Sequence, residues 1–116
     1  THPPPQSLLL LNDDTYLEAA RVLAEGVLLE AKDDLRCLRV LWRTILTREP
    51  TGPELRMLGG LLVRQRERFA VDFGAADRLL TVGASTATQD LDPSDLAAWT
   101  IVVHTILNLD EAIVRR

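Results

Sequence analysis

The stretch "TREPTGPELRMLGGLLVRQRERFAVD", residues 47–72, holds a helix stop, a helix start and a long apolar period in one run. Pro50 pushes the residue before it out of the helical region, which ends whatever helix precedes it. Thr51 then stands as N-cap with Glu54 three residues later, the spacing of a capping box, and Pro53 lies inside the first turn. From there Leu55, Leu58, Leu62 and Phe69 recur at helical intervals, which predicts a helix over 53–72 with those four residues inward. Gly59 and Gly60 sit in its middle, each at a cost of up to about 1 kcal/mol relative to alanine. The expected reason is close approach of a neighbouring helix, or a kink.

The same logic extends in both directions. Upstream, Leu35, Leu38, Trp42, Ile45 and Leu46 give the core face of a helix over 34–48, after a short break at Lys32 and Asp33. Before that, Asn12 reads as an N-cap, with Leu11 and Tyr16 placed to clasp as a hydrophobic staple. Tyr16, Ala20, Leu23 and Val27 share one face, flanked by Leu17, Ala24 and Leu28, while Glu18, Arg21 and Glu25 lie opposite. Downstream, Gly74 and Gly83 bracket a short helix over 75–82, and "ASTATQD" (84–90) is a small, polar surface loop. "LDPSDL" restarts the chain with Asp92 as cap, Pro93 at the first helical position, Asp95 at the third and Leu91 stapled to Leu96. Leu96, Trp99, Val103 and Ile106 or Leu107 face inward, and "NLDE" at 108–111 reads as a break before a last short turn. No strand-period alternation competes. The expected fold is all-α, a compact bundle of about five helices over residues 12–116.

Residues 1–11 differ in kind. "THPPPQS" cannot be helical through its prolines and forms an extended lead-in, and Leu8, Leu9, Leu10 and Leu11 follow without a polar break. Four consecutive leucines at the edge of a small domain are expected to form a joint to an upstream domain. Some would pack on this domain's own core and the rest on the upstream part.

Composition narrows the function classes. The 116 residues are 47% hydrophobic and 26% charged, as in a packed globular domain. Net charge is −4, which disfavours broad attraction to nucleic acid or anionic lipid. The apolar stretches at 8–11 and around 101–107 fall far short of the ~20 residues a membrane span needs, so no membrane insertion is expected. Cys37 is the only cysteine, so no internal disulfide forms, and its plain reading is a small helical side chain.

Arg36, Arg39 and Arg43 at i, i+3, i+7 share a helix face and form a candidate clamp for a planar anion. The plainer reading is a solvated face. Arg64, Arg66 and Arg68 spread round their helix with Glu67 among them, and the Pro-Thr-Gly-Pro joint does not resemble a helix-turn-helix, so no nucleic-acid partner is assigned. His104 is read as a packing residue, for no nucleophile or carboxylate is spaced to serve it. Asp90, Asp92 and Asp95 lack the glycine and terminal glutamate of a calcium loop and fit helix capping better. Asp110 and Glu111 are neighbours and diverge on a helix. No catalytic, cofactor-binding or metal-ligating residue is assigned.

Three stretches resemble the domain-of-unknown-function 1553 family. "PPQSLLLLNDD" is similar to its "PLQAL-x-LLND" signature, "LWRTILTREPTGPEL" to "R-L-x-LGREPTPEEL", and "TILNLDEAIVRR" to "ALLNLDEFI". The order is the same, and the resemblance runs from Pro4 to Arg115. Departures are Pro5 and Ser7 in the first, Thr47 for the usual glycine in the second, and Ala112 for the usual aromatic in the third. The resemblance implies the C-terminal helical part of a large planctomycete-type protein, exported or periplasmic, often with a cytochrome-c-like domain upstream and sometimes a carbohydrate-binding-like one. It implies no catalytic residue and no cofactor for this chain. The expected function is a non-catalytic packing or interaction module, carried by Leu8, Leu9, Leu10, Leu11 and the Arg36, Arg39, Arg43 face, with the upstream domains of the same chain as partner. The alternative is that the domain completes an active site housed upstream, acting on an anionic or polysaccharide substrate. In that case the arginine face, His104 and the Asp110–Glu111 corner should converge on one cleft.

Overall fold

The computed structural model describes the backbone of residues 14–114 and side chains as far as Asp110. Five helices follow one another: α1 Asp14–Glu30, α2 Asp34–Leu46, α3 Gly52–Val71, α4 Phe73–Leu80 and α5 Pro93–Val114. Among the described residues there is no strand, and the fold is all-α. The cap expected at Asn12 and the leucines at 8–11 lie outside the described residues.

The helix starts are written in local chemistry. The Asp33 carboxylate accepts from the Arg36 N–H at 2.9 Å and opens α2. Thr51 Oγ1 accepts from Glu54 N–H at 3.3 Å while a Glu54 oxygen accepts from Thr51 N–H at 2.8 Å, closing the capping box of α3. Asp92 accepts from the Asp95 N–H at 3.0 Å and from Ser94 Oγ at 2.7 Å at the head of α5. Each satisfies a first-turn donor that the helix itself leaves open.

The ends depart from expectation. α2 ends at Leu46, before Arg48, because Thr47 turns left-handed (φ 61°, ψ 26°) and its N–H bonds back to Arg43 O at 2.9 Å. Pro50 comes too late to be the stop. α4 starts and ends two residues earlier than 75–82, because Asp72, not Gly74, is the cap. Its carboxylate accepts from Ala75 N–H at 2.9 Å. No break interrupts α5 at 108–111. Asn108 turns its amide back to His104 O at 3.1 Å instead of capping a new turn, and no glycine or proline follows to stop the helix.

α5 is the spine and packs against each of the other four helices. Leu96, Ala97, Ala98, Trp99, Val102, Val103 and Ile106 are all fully buried, so this helix is apolar nearly all round. Thr100, buried among them, donates its hydroxyl to Leu96 O at 2.8 Å. Ala20, Ala24 and Leu28 of α1, Leu38, Leu41 and Trp42 of α2, Leu58, Leu62 and Phe69 of α3, and Ala76 and Leu80 of α4 complete one shared core. Leu35 is not part of it. At 49% exposed it lies on the outer side of α2, while Leu55 is half-buried. The close helix approach expected at the glycine pair is also overturned. A Cβ on Gly59 would meet nothing within 4 Å, and one on Gly60 only the Arg64 guanidinium of its own helix at 3.2 Å.

Candidate functional site

The most heavily bonded cluster of charge lies where the sequence predicts solvent. Arg21, on the supposed outer face of α1, is only 1% exposed. It is covered by the 84–91 loop, which folds back across α1 from more than sixty residues away. Its guanidinium donates to Glu25 Oε2 at 2.8 Å, to Ser85 O at 3.0 Å and to Ser85 Oγ at 2.7 Å. Glu18 accepts from the Ser85 N–H at 2.6 Å and from the Ser85 hydroxyl, and Glu25 also accepts from the Thr88 N–H at 2.8 Å. One arginine and two carboxylates one helical turn away on either side thus grip a loop that has no regular structure of its own. The Ser85 hydroxyl and N–H, with lesser help from the Ala84 backbone and Arg21, hold the Glu18 carboxyl below the usual range against the opposing effect of burial. Gly83 makes the approach possible. Its φ is +97°, and a Cβ there would run into the Glu18 side chain.

A cleft of about 550 Å³ opens beside this clamp, lined by Asp77, Thr81, Ser85, Thr86, Thr88 and Gln89 among others. A second, of about 480 Å³, lies between α1 and α2 and is mostly apolar: Val22, Leu23, Gly26, Val27, Ala31 and Val40, with Glu30 and Arg36 also on its walls.

The arginines of α2 are all exposed. Arg36 lines the apolar cleft, and Arg43 pairs with Glu49 at 2.9 Å. Arg39 lines neither cleft. The second basic cluster has a clear structural member. Arg66 grips Asp34 with both Nη atoms at 2.6 and 3.0 Å and Asp95 with Nε at 2.7 Å, tying α3 to the first turns of α2 and α5. Chiefly for that hydrogen bond, the Asp34 carboxyl is held below its usual range. Arg66 also stands 5.8 Å from the Trp99 ring centre, and Arg48 5.2 Å from that of Trp42. Both indole N–H groups are buried without a hydrogen bond, so the guanidinium ions cover the rings without serving their donors. Arg48 further holds Glu54 bidentately at 2.7 and 2.8 Å.

His104 is half-buried on α5, its Nδ1 3.3 Å from the Asn108 amide. Neither His104 nor Asp110 lines either cleft, so Arg36, His104 and Asp110 do not come together in one of them. Asp95 is engaged by Arg66 and Asp92 by its own helix start, as capping implies. Cys37 is buried, donates to Ala31 O at 3.3 Å, and burial pushes its thiol up. Among the described residues no group of three or more His, Cys, Asp or Glu is placed to hold a metal ion, and no helix is long and apolar enough to cross a membrane. What sequence periodicity does not reveal, besides Arg21, is an exposed apolar pair at the α3–α4 joint: Val71 is 86% exposed and Phe73 70%.

These features define an all-α domain whose most heavily hydrogen-bonded ionisable groups bind helices and a loop to one another. The chain belongs to a family described as PSD1, a protein of unknown function (DUF1553), whose model matches residues 1–62. That match takes in the first two of the three motifs above and ends at Leu62, before "TILNLDEAIVRR". No curated protein and no solved structure matches the chain.

Proposed function

We propose that this domain is a non-catalytic packing and interaction module of a larger, exported, cytochrome-associated protein, and that its partner is an upstream part of that protein. The observation that carries the reading is the apolar pair at the α3–α4 joint. Val71 and Phe73 flank Asp72, which ends one helix and caps the next, so the two side chains are held outward on a stiff corner. A large aromatic presented this way suits the centre of an interface. The exposed Arg36 and Arg39 add a positive face that an acidic partner surface would complement.

Light scattering after size exclusion tests this on the chain alone and mixed with a separately produced upstream part. The expected result is a stoichiometric complex that Phe73→Asp abolishes while leaving the helical content unchanged. A monomer that stays separate from the upstream part at tens of micromolar would overturn it.

A further inference from the structure

The outward face of α3 carries two features that the fold of one chain leaves unused. Opposite the buried Leu58, Leu62 and Phe69, the residues Met57, Gly60, Arg64, Glu67 and Val71 follow one another at intervals of three, four, three and four. That spacing keeps one line of a helix turned toward a partner. The helices that α3 packs against, α2, α4 and α5, leave the line open: Gly60 is half-buried and the other four residues are exposed. The first feature is Gly60 itself, where a Cβ would meet only the Arg64 guanidinium of its own helix. The second is charge, for the Arg64 and Glu67 side chains make no hydrogen bond or ion pair among the described residues. We propose that this face receives the same face of a second copy of the chain, the two α3 helices running antiparallel about a twofold axis.

The line is complementary to itself, which selects that occupant. Across a twofold axis every contact occurs twice, with the two residues exchanged. The antiparallel register that sets Arg64 opposite Glu67 of the second copy therefore also sets Glu67 opposite its Arg64, and both charges are matched. The same register sets the exposed Val71 opposite Gly60, the one position on the line without a side chain, and brings Met57 to the joint where Phe73 stands. A parallel pair in register would instead set arginine on arginine and glutamate on glutamate. One register, found from the charges alone, thus gives a purpose to a glycine whose usual reason, close approach of another helix, no helix of the same chain supplies. The inference rests on the reading of Val71 and Phe73 as an interface, and adds that a second copy competes with the upstream part for it.

The test is sedimentation equilibrium of the chain alone at tens to hundreds of micromolar, the range that suits an interface of one helix pair. A reversible dimer is expected. Arg64→Glu and Glu67→Arg should each give a monomer of unchanged helical content, because each sets like charges opposite one another. An equimolar mixture of the two variants should dimerise again, because the mixed pair restores opposite charges at both positions. An unsubstituted chain that stays monomeric throughout would overturn the proposal. So would a dimer that either substitution leaves intact, or a mixture no more associated than its components. Adding the upstream part in excess separates the two readings: a monomer that binds it overturns only this one, and a dimer that persists beside it overturns only the one above.

Discussion

Thr47 holds a left-handed conformation that a β-branched residue adopts at a cost of roughly 1–2 kcal/mol, and it does so at the place where the resembling motif carries glycine. Its hydroxyl, donating to Leu46 O at 2.6 Å, offsets only part of that cost. Thr47→Gly should therefore raise stability by about 1 kcal/mol, read as a shift of the urea midpoint. Gly59→Ala should do the same by up to about 1 kcal/mol, because the helix is continuous there and the added methyl meets open space. Gly83→Ala is the contrasting case and should destabilise, for its left-handed φ and the Glu18 side chain both forbid a Cβ. At Arg21 the loss should be larger. Arg21→Ala leaves Glu18 and Glu25 without their counter-charge and frees the 84–91 loop, for a cost of about 2–3 kcal/mol. Arg21→Lys should recover little, since one ammonium cannot span Glu25 and both Ser85 acceptors.

At the scale of the helix, the starts of α2, α3 and α5 were legible, while the start of α4 and the ends of α2, α4 and α5 were not. An N-cap is a short-range pattern of one polar side chain and the donors two or three residues on, so Thr51 with Glu54, and Asp92 before Pro93, are visible in the sequence. A helix end depends on what the chain does next in space. Thr47 turning left-handed, Asp72 serving two helices and Asn108 bonding backward carry no comparable spacing. α5 illustrates the other half. Its apolar residues on several sides blur the helical period because the rest of the fold wraps it. Trp99→Ala in this spine should cost about 3–5 kcal/mol in equilibrium unfolding. The α3 start also sets an acid limb. Arg48, and then the Thr51 N–H, hold the Glu54 carboxyl down to about 2, from an ordinary 4.5. Its folded value lies below its unfolded one, so its contribution is complete above pH 4.5 and is lost as pH falls toward 2. Glu54→Gln keeps an oxygen for the capping box but no charge, and should flatten that part of a stability-against-pH curve.

For the whole molecule, the all-α class and most of the core follow from apolar period alone, as Leu58, Leu62, Phe69, Trp42, Trp99 and Val103 show. The Arg21 clamp does not, because its partners stand 63 to 67 residues away in sequence. Helix periodicity reports which side of α1 faces other helices; it says nothing of a loop returning over the far side. The same gap hid Arg66, whose two carboxylates come from two other helices. Charge in this domain is thus committed to holding the fold together, around a spine that the rest of the chain wraps. Amide hydrogen exchange on the isolated chain tests this most directly. It should find residues 96–106 of α5 slowest, and the Ser85 and Thr88 amides far better protected than those of Thr86 and Gln89 beside them. Ser85 and Thr88 exchanging as fast as their loop neighbours, with α5 intact, would contradict it.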